Sequence, residues 1–427
     1  MPRCLGQILL LLVVAGCEQS PGPVPASPSA EPTAVVEVPT PPSVPAPKPV
    51  EPKPPVPPVE PKPPAVKVDL KLEKEAEAYA SQVGGTPLRN VSHIGEKNAL
   101  ITINFLGTDA KPADVKAVDL KKLAGATRLN RLGLLGSKNT DACLKEVAAL
   151  PMLKSISLEG SDVSDAGLAA IAALPNLIDL DLSRVKTITA AGWKALGGAT
   201  KLETLWLSHS GIDDAAFQEL AALKGLKSLK LDGTNLTLAN TGATFAQFKQ
   251  LVELDLNGSP ISDEGVLALC AARALVTLDL TGTNFTDAGF QPLAQLLKLK
   301  ELVVAELPGL TGTGFADIAE LNGLEGVTLS GSGITDKGMK AVANLRELKR
   351  LDLDRTKITD DGAKYLATKR ALEKLSFQET KVGDSGLLAV TAEAKSLKKV
   401  EVRKSKVTKG VLEDVRKANP DLAVVFD

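Results

Sequence analysis

Residues 129–201 read LNRLGLLGSKNTDACLKEVAALPM, LKSISLEGSDVSDAGLAAIAALPN and LIDLDLSRVKTITAAGWKALGGATK, three lines that start at Leu129, Leu153 and Leu177 and share one template. The opening leucine returns at Leu202, Leu226, Leu251, Leu275, Leu299, Leu324, Leu348, Leu372 and Leu397, and the next register position is Leu422. The mean period is (422 − 129)/12, or 24.4 residues, held over twelve units of 24 or 25. The shared pattern is LxxLxLxx(S/T)x(I/V)(T/S)DxGLxxLxxLxx. Alternating leucines in LxxLxL turn one face of a short strand inward and leave the intervening residues outward. A Ser or Thr before Asp is placed to cap a helix, as at Ser164, Ser262, Thr286, Thr335 and Thr359. Apolar residues then recur at helical spacing, for example Leu168, Ile171 and Leu174, or Met339, Val342 and Leu345. One strand and one helix cannot bury their apolar faces alone, whereas neighbours stacked in register make a continuous core.

The pattern resembles leucine-rich repeats, in the ribonuclease-inhibitor-like and F-box-associated types and most closely the ITDxGL repeats of bacterial envelope proteins, over roughly residues 100–427. The resemblance implies an α/β fold, a right-handed solenoid (horseshoe) with a parallel β-sheet on the concave face and helices on the convex face. It also implies that the concave sheet is the binding surface, and says little about the ligand. No F-box accompanies the repeats, so a ubiquitin-ligase role is not carried over. A hydroxyl follows the last strand leucine by three residues in ten of the twelve units: Ser137, Ser161, Ser210, Thr234, Ser259, Thr283, Ser332, Thr356, Thr380 and Ser405. Many leucine-rich repeats carry Asn or Cys here, and the hydroxyls are expected to bond backbone groups at the turn out of the sheet.

Outside the repeats, residues 66–83 have an amphipathic helical pattern stopped by Gly84-Gly85, and residues 88–93 and 100–105 read as strands with Ile103 and Phe105 on the sheet. Residues 66–128 are therefore expected to form an N-terminal cap and irregular first repeat, residues 129–421 the twelve repeats, and residues 422–427 a terminal edge strand after a last helix at 411–418. Pro292 interrupts the helical stretch of its unit.

The first residues, MPRCLGQILLLLVVAGC, combine a positive start, a short apolar run and small residues before a cysteine. The run is too short to span a bilayer as a helix. Val14-Ala15-Gly16-Cys17 resembles a bacterial lipobox, which implies removal of residues 1–16 as a signal peptide and acylation of Cys17. Glu18 is not the aspartate that retains such lipoproteins at the inner membrane, so export to the outer membrane, periplasmic or surface-facing, is expected. Residues 18–65 hold 19 prolines in 48 positions and repeat VEPKPP. Such a stretch is expected to be a semi-rigid polyproline II tether, with a contour up to ~150 Å at ~3.1 Å per residue.

Composition narrows the function. Lys plus Arg is 50 and Asp plus Glu is 51, which supplies no overall drive toward nucleic acid. Two histidines and four cysteines leave little material for metal or acid–base sites, and neither cofactor nor metal is expected. Cys143 and Cys270 lie five repeats apart, on the order of 25 Å, and are expected as buried thiols beyond disulfide reach.

The middle outward strand position reads Gly133, Ser157, Asp181, Trp206, Lys230, Asp255, Asp279, Val303, Thr328, Asp352, Ser376 and Glu401. Trp206 stands out as an exposed aromatic ringed by Asp179, Asp181, Arg184, His209, Lys230, Asp232, Glu253 and Asp255, a candidate binding surface that continues to Asp279. The structural alternative is that Trp206 shields its neighbours and that the aspartates follow the LDL consensus. Lys399, Arg403, Lys404 and Lys406 form a candidate basic patch, with Glu401 the only opposing charge among residues 400–408. Adjacent Ser208 and His209 diverge on a strand, which argues against a hydrolase. Asp255 and Asp279 lack the enclosed oxygens a calcium ion takes. The expectation is a monomeric, non-enzymatic, lipid-anchored scaffold that binds another protein or an envelope glycan and meets the membrane only through its lipid; a structural spacer role is the rival.

Overall fold

In the computed structural model the described residues are 70–89, 100–106, 113–115 and 118–426. Cys17, the signal sequence, the proline tract and part of the cap lie outside them. The described residues fall within one compact unit, Pro64–Asp427.

In most repeats the xLx within LxxLxL becomes a three-residue strand, its central apolar residue buried and its flanks part-exposed, as in Asp179–Asp181, Thr204–Trp206 and Glu253–Asp255. The twelve repeat strands pair in parallel, each with the next in sequence, and the outward positions from Gly133 to Glu401 fall on one register line. The sheet has 15 strands. Its start is a hairpin of β1 (Thr86–Arg89) antiparallel to β2 (Leu100–Leu106), with helix α1 (Leu70–Gln82) packed against it. Ile103 and Phe105 are buried as expected. At the far end helix Val411–Ala418 precedes the strand Ala423–Val425, which pairs with Lys399–Glu401. Leu422 is core rather than part of that strand.

Short α- and 3₁₀-segments link the strands and contact their counterparts in the next repeat. A helical segment is ~10 Å across whereas strands stand ~4.8 Å apart, so the stack bends with the sheet on its inner side. The opening leucines from Leu129 to Leu422 are all buried. In the middle repeats phenylalanine replaces leucine on the helical side. Phe217, Phe245 and Phe248 form one ring cluster, and Phe285, Phe290 and Phe315 another. Pro292 sits in the first turn of the four-residue helix Phe290–Leu293, where an amide needs no intrahelical partner, so it breaks nothing.

Capping follows the expectation at Ser164, Thr286, Thr335 and Thr359, whose hydroxyls accept from backbone amides two or three residues on, but Ser262 makes no such bond. The aspartate after the cap has a different role. Asp165 accepts from the amide and hydroxyl of Thr189 at 2.8 and 2.5 Å, and Asp336 from those of Thr359 at 2.8 and 2.7 Å. Asp141, Asp214, Asp263, Asp287, Asp360 and Asp384 likewise accept from the amide at the equivalent position of the following repeat, which is the capping residue at Ser164, Thr286 and Gly383. Burial opposes the charged form of Asp287, yet donors from Gly314, Thr311 and Gly312 hold its carboxyl below the usual range. This clasp explains the glycine of DxG: a Cβ on Gly192 would overlap Asp165 Oδ1, and one on Gly362 would overlap Asp336 Oδ1.

The hydroxyl row is also a backbone device, with two corrections. Thr234, Thr283, Thr356, Thr380 and Ser405 donate to the carbonyl three residues back. Ser259 and Ser332 instead donate to Leu231 and Val304 of the preceding repeat. Ser161 and Ser210 are buried without a partner, so the expected bond is not made there. Cys143 and Cys270 are free, buried thiols, and burial pushes both up to about 12.

Candidate concave binding surface

The concave sheet presents two outward residues per strand, and the turn that follows adds a third element. Two positions after the last strand leucine the backbone is left-handed in every repeat. Six of these positions are glycine, Gly136, Gly160, Gly233, Gly258, Gly282 and Gly331, and six carry Arg184, His209, Glu306, Arg355, Glu379 and Lys404. A side chain in that conformation costs on the order of 1 kcal/mol. The six project along the rim of the sheet and take partners from neighbouring repeats: Arg184 with Glu159 at 3.6 Å, His209 with Asp232 at 3.8 Å, Lys404 with Glu379 at 3.1 Å. Glu306 crosses the bare backbone of Gly331 to meet Arg355 at 2.5 Å, two repeats away.

Around Trp206 the register is as expected, with Asp181 on one side and Lys230 on the other. The indole itself is half-buried rather than exposed. Its charged surroundings are largely engaged with each other. Lys230 is paired with Glu253 and lies 3.7 Å from Asp255. Burial works against the Lys230 ammonium, but Glu253, Asp255 and Asp279 hold its pKa above the usual value. The Lys230 bond holds the Glu253 carboxyl low, whereas burial, aided by Asp279 and Asp232, pushes Asp255 up. Asp179 stands in register with Thr204, and Asp181 accepts from Ser157 at 3.0 Å. Ser208 donates to Asp232, the same carboxylate His209 faces, so serine and histidine converge on an acid and build no nucleophile–base pair.

The basic patch is partly neutralised by acids that sequence proximity hides. Lys399 pairs with Glu401, Lys404 with Glu379, and the adjacent Lys398 with Glu373 at 3.0 Å. Arg403 and Lys406 are exposed. Glu401 is the only acid among residues 400–408, and Glu373 and Glu379 of the preceding repeat add to it.

A recess on the concave sheet lies elsewhere, between Glu301 and Glu401, with a volume of about 370 Å³. It exists because Gly326 and Thr328 are small beside long neighbours. Glu301 passes over Gly326 to Arg350, which lies two strands on. Arg350, Lys374 and Lys399 follow one another on one register line, and Asp352, Ser376 and Glu401 on the next. Burial raises the Asp352 pKa, with Asp354 and Glu401 adding to it. Thr328, Asp352, Ser376 and Glu401 are visible in the outward row of the sequence. What distinguishes their site, the gap at Gly326 and the Glu301–Arg350 bridge, joins residues 49 apart.

Four segments, 149–172, 250–270, 273–294 and 345–367, match the leucine-rich-repeat family model. With the parallel ladder above, this decides the architecture. The fold is a leucine-rich-repeat solenoid. Among solved structures, an internalin from Listeria monocytogenes superposes with a TM-score of 0.56 at 18% identity, over 84% of this chain and 94% of that one. A leucine-rich-repeat protein from Leptospira interrogans gives 0.41 at 19% identity, over 71% and 92%. At 18% identity the likeness to the internalin is of fold alone. No curated protein matches the sequence. Among the described residues of the solenoid no helix is long and apolar enough to cross a membrane, and no group of three His, Cys, Asp or Glu side chains is placed to hold a metal.

Proposed function

We propose that this leucine-rich-repeat protein is a lipid-anchored envelope scaffold that binds a partner protein on its concave sheet, presented on a proline tether beyond Cys17. Leucine-rich repeats form extended concave surfaces suited to protein binding. The observation that carries the reading is the concave recess beside Gly326, where charged and hydroxyl side chains line an open volume of about 370 Å³ that one side chain of a partner would fill. One observation favours the spacer alternative: the charges around Trp206 are mostly consumed by neighbours.

Cross-linked capture from native envelope tests the reading. The full chain is expected to retain a protein that Lys374→Gln/Asp352→Asn and Trp206→Ala/Asp255→Ala variants lose at least about tenfold, with melting temperatures unchanged. Capture of a glycan instead, or equal capture by every variant, would reject it. The anchor is tested separately. Cys17→Ser should move the protein from the detergent phase to the aqueous phase on temperature-induced phase separation, and retention in detergent would reject acylation at that residue.

A further inference from the structure

We propose that the recess beside Gly326 binds a short zwitterionic peptide, about two residues long, by its ammonium and carboxylate ends. This deepens the concave-face reading and rests on it. Of the charges lining the recess, Arg350 is engaged by Glu301 and Lys399 by Glu401. Lys374 and Asp352 face the same recess, and neither has an ion-pair partner among the described residues. Lys374 is exposed, Asp352 is part-buried, and only one of its carboxylate oxygens is engaged, by the Asp354 amide at 2.9 Å. Lys374 shares the register line of Arg350, and Asp352 lies one line on, two residues along the strand. Two residues of strand separate the lines by ~6.6 Å. Lys374 and Asp352 also stand on adjacent strands ~4.8 Å apart, which puts their backbone positions ~8 Å from each other, and an extended dipeptide at ~3.3–3.6 Å per residue, ~7 Å, is of that order.

The sign of the surroundings selects a dipolar ligand over a simple anion. Arg350, Lys374 and Lys399 stand against Glu301, Asp352, Asp354 and Glu401, three cations to four carboxylates. A phosphate drawn to Lys374 would meet that excess of negative charge. A zwitterion places its carboxylate at Lys374 and its ammonium at Asp352 as charge-assisted hydrogen bonds, with the Thr328 hydroxyl beside them. The same ammonium–carboxylate pair is available from a free dipeptide or from a basic and an acidic side chain set side by side on a larger partner.

Calorimetric titration of the full chain with L-Ala-L-Ala tests this. Saturable binding with Kd at or below about 1 mM is expected. N-acetyl-Ala-Ala-amide, Lys374→Gln and Asp352→Asn should each weaken it at least about tenfold, and Lys194→Gln, on the exposed side of the helix Ala190–Leu196, should leave it unchanged. No saturable heat to about 10 mM, equal binding of the blocked peptide, or wild-type affinity in both charge variants would overturn the proposal. Displacement of a captured partner by Ala-Ala identifies a partner-borne segment as the source, and binding of Ala-Ala without displacement identifies a free peptide. A partner captured by a chain that ignores Ala-Ala would sink the dipeptide proposal and leave the concave-face reading standing.

Discussion

Gly362→Ala is expected to destabilise the solenoid by about 2–4 kcal/mol, although the same change in an ordinary helix stabilises by about 1 kcal/mol. Gly362 lies within the helix Asp360–Lys364, where alanine removes backbone entropy from the unfolded chain. The opposing effect comes from the preceding repeat: the new Cβ would overlap Asp336 Oδ1 and press on Asp336 Cα at 3.2 Å. That oxygen accepts from the Thr359 amide, so moving it opens the clasp between two repeats. Asp336→Ala alone should cost about 1–2 kcal/mol, as lost hydrogen bonds to a charged group. The double variant should then be more stable than the sum of the two losses predicts, by about 1–3 kcal/mol, because without the carboxylate the alanine has room. Urea denaturation of the four proteins reads this out. A stabilised single variant, or strict additivity, would show that the aspartate does not impose the glycine.

Lys369→Met is expected to stabilise the protein by about 1–3 kcal/mol near neutral pH, the range seen when buried ionic groups give way to apolar ones. Lys369 is 4% exposed and its ammonium donates to the Leu345 carbonyl of the preceding repeat. Burial lowers its pKa to about 8 from 10.5, with Glu347 opposing weakly. Between those values the unfolded chain holds the proton that the folded one has released, so this group makes stability rise with pH across that window. Below about pH 8 both states are protonated and its contribution is flat. The advantage of methionine should therefore shrink as pH climbs from about 8 to 10.5. Loss of the bond to Leu345 caps the gain. Paired denaturation curves at pH 7 and pH 10 check it; an advantage that grows with pH would reverse the assignment.

Register was legible before any coordinates because the period is nearly constant. A 24.4-residue interval puts Leu205, Leu229 and Leu254 on one line, and the outward residues from Gly133 to Glu401 follow without further information. The terminal helix at Val411–Ala418 and the buried Ile103 and Phe105 were readable on the same ground, since apolar spacing depends only on local sequence.

Tertiary structure decided how neighbouring repeats use each other. The aspartate of TD and SD reads locally as part of a helix start, yet its acceptors serve a residue 23 or 24 positions later. Trp206 looked exposed because a strand position specifies which face a side chain occupies, not how far adjacent strands cover it. Lys404 looked unopposed because its acid, Glu379, belongs to the preceding repeat, whereas Lys399 meets Glu401 within the patch. The recess beside Gly326 depends on Glu301 reaching past one strand to Arg350 on the next. The sequence by itself therefore determined the ladder and the face each residue occupies, because strand alternation and helical spacing are properties of the local chain. Which charges are consumed and which stay open was decided only by the stack, because strands ~4.8 Å apart bring side chains of two or three repeats within reach of the same partner.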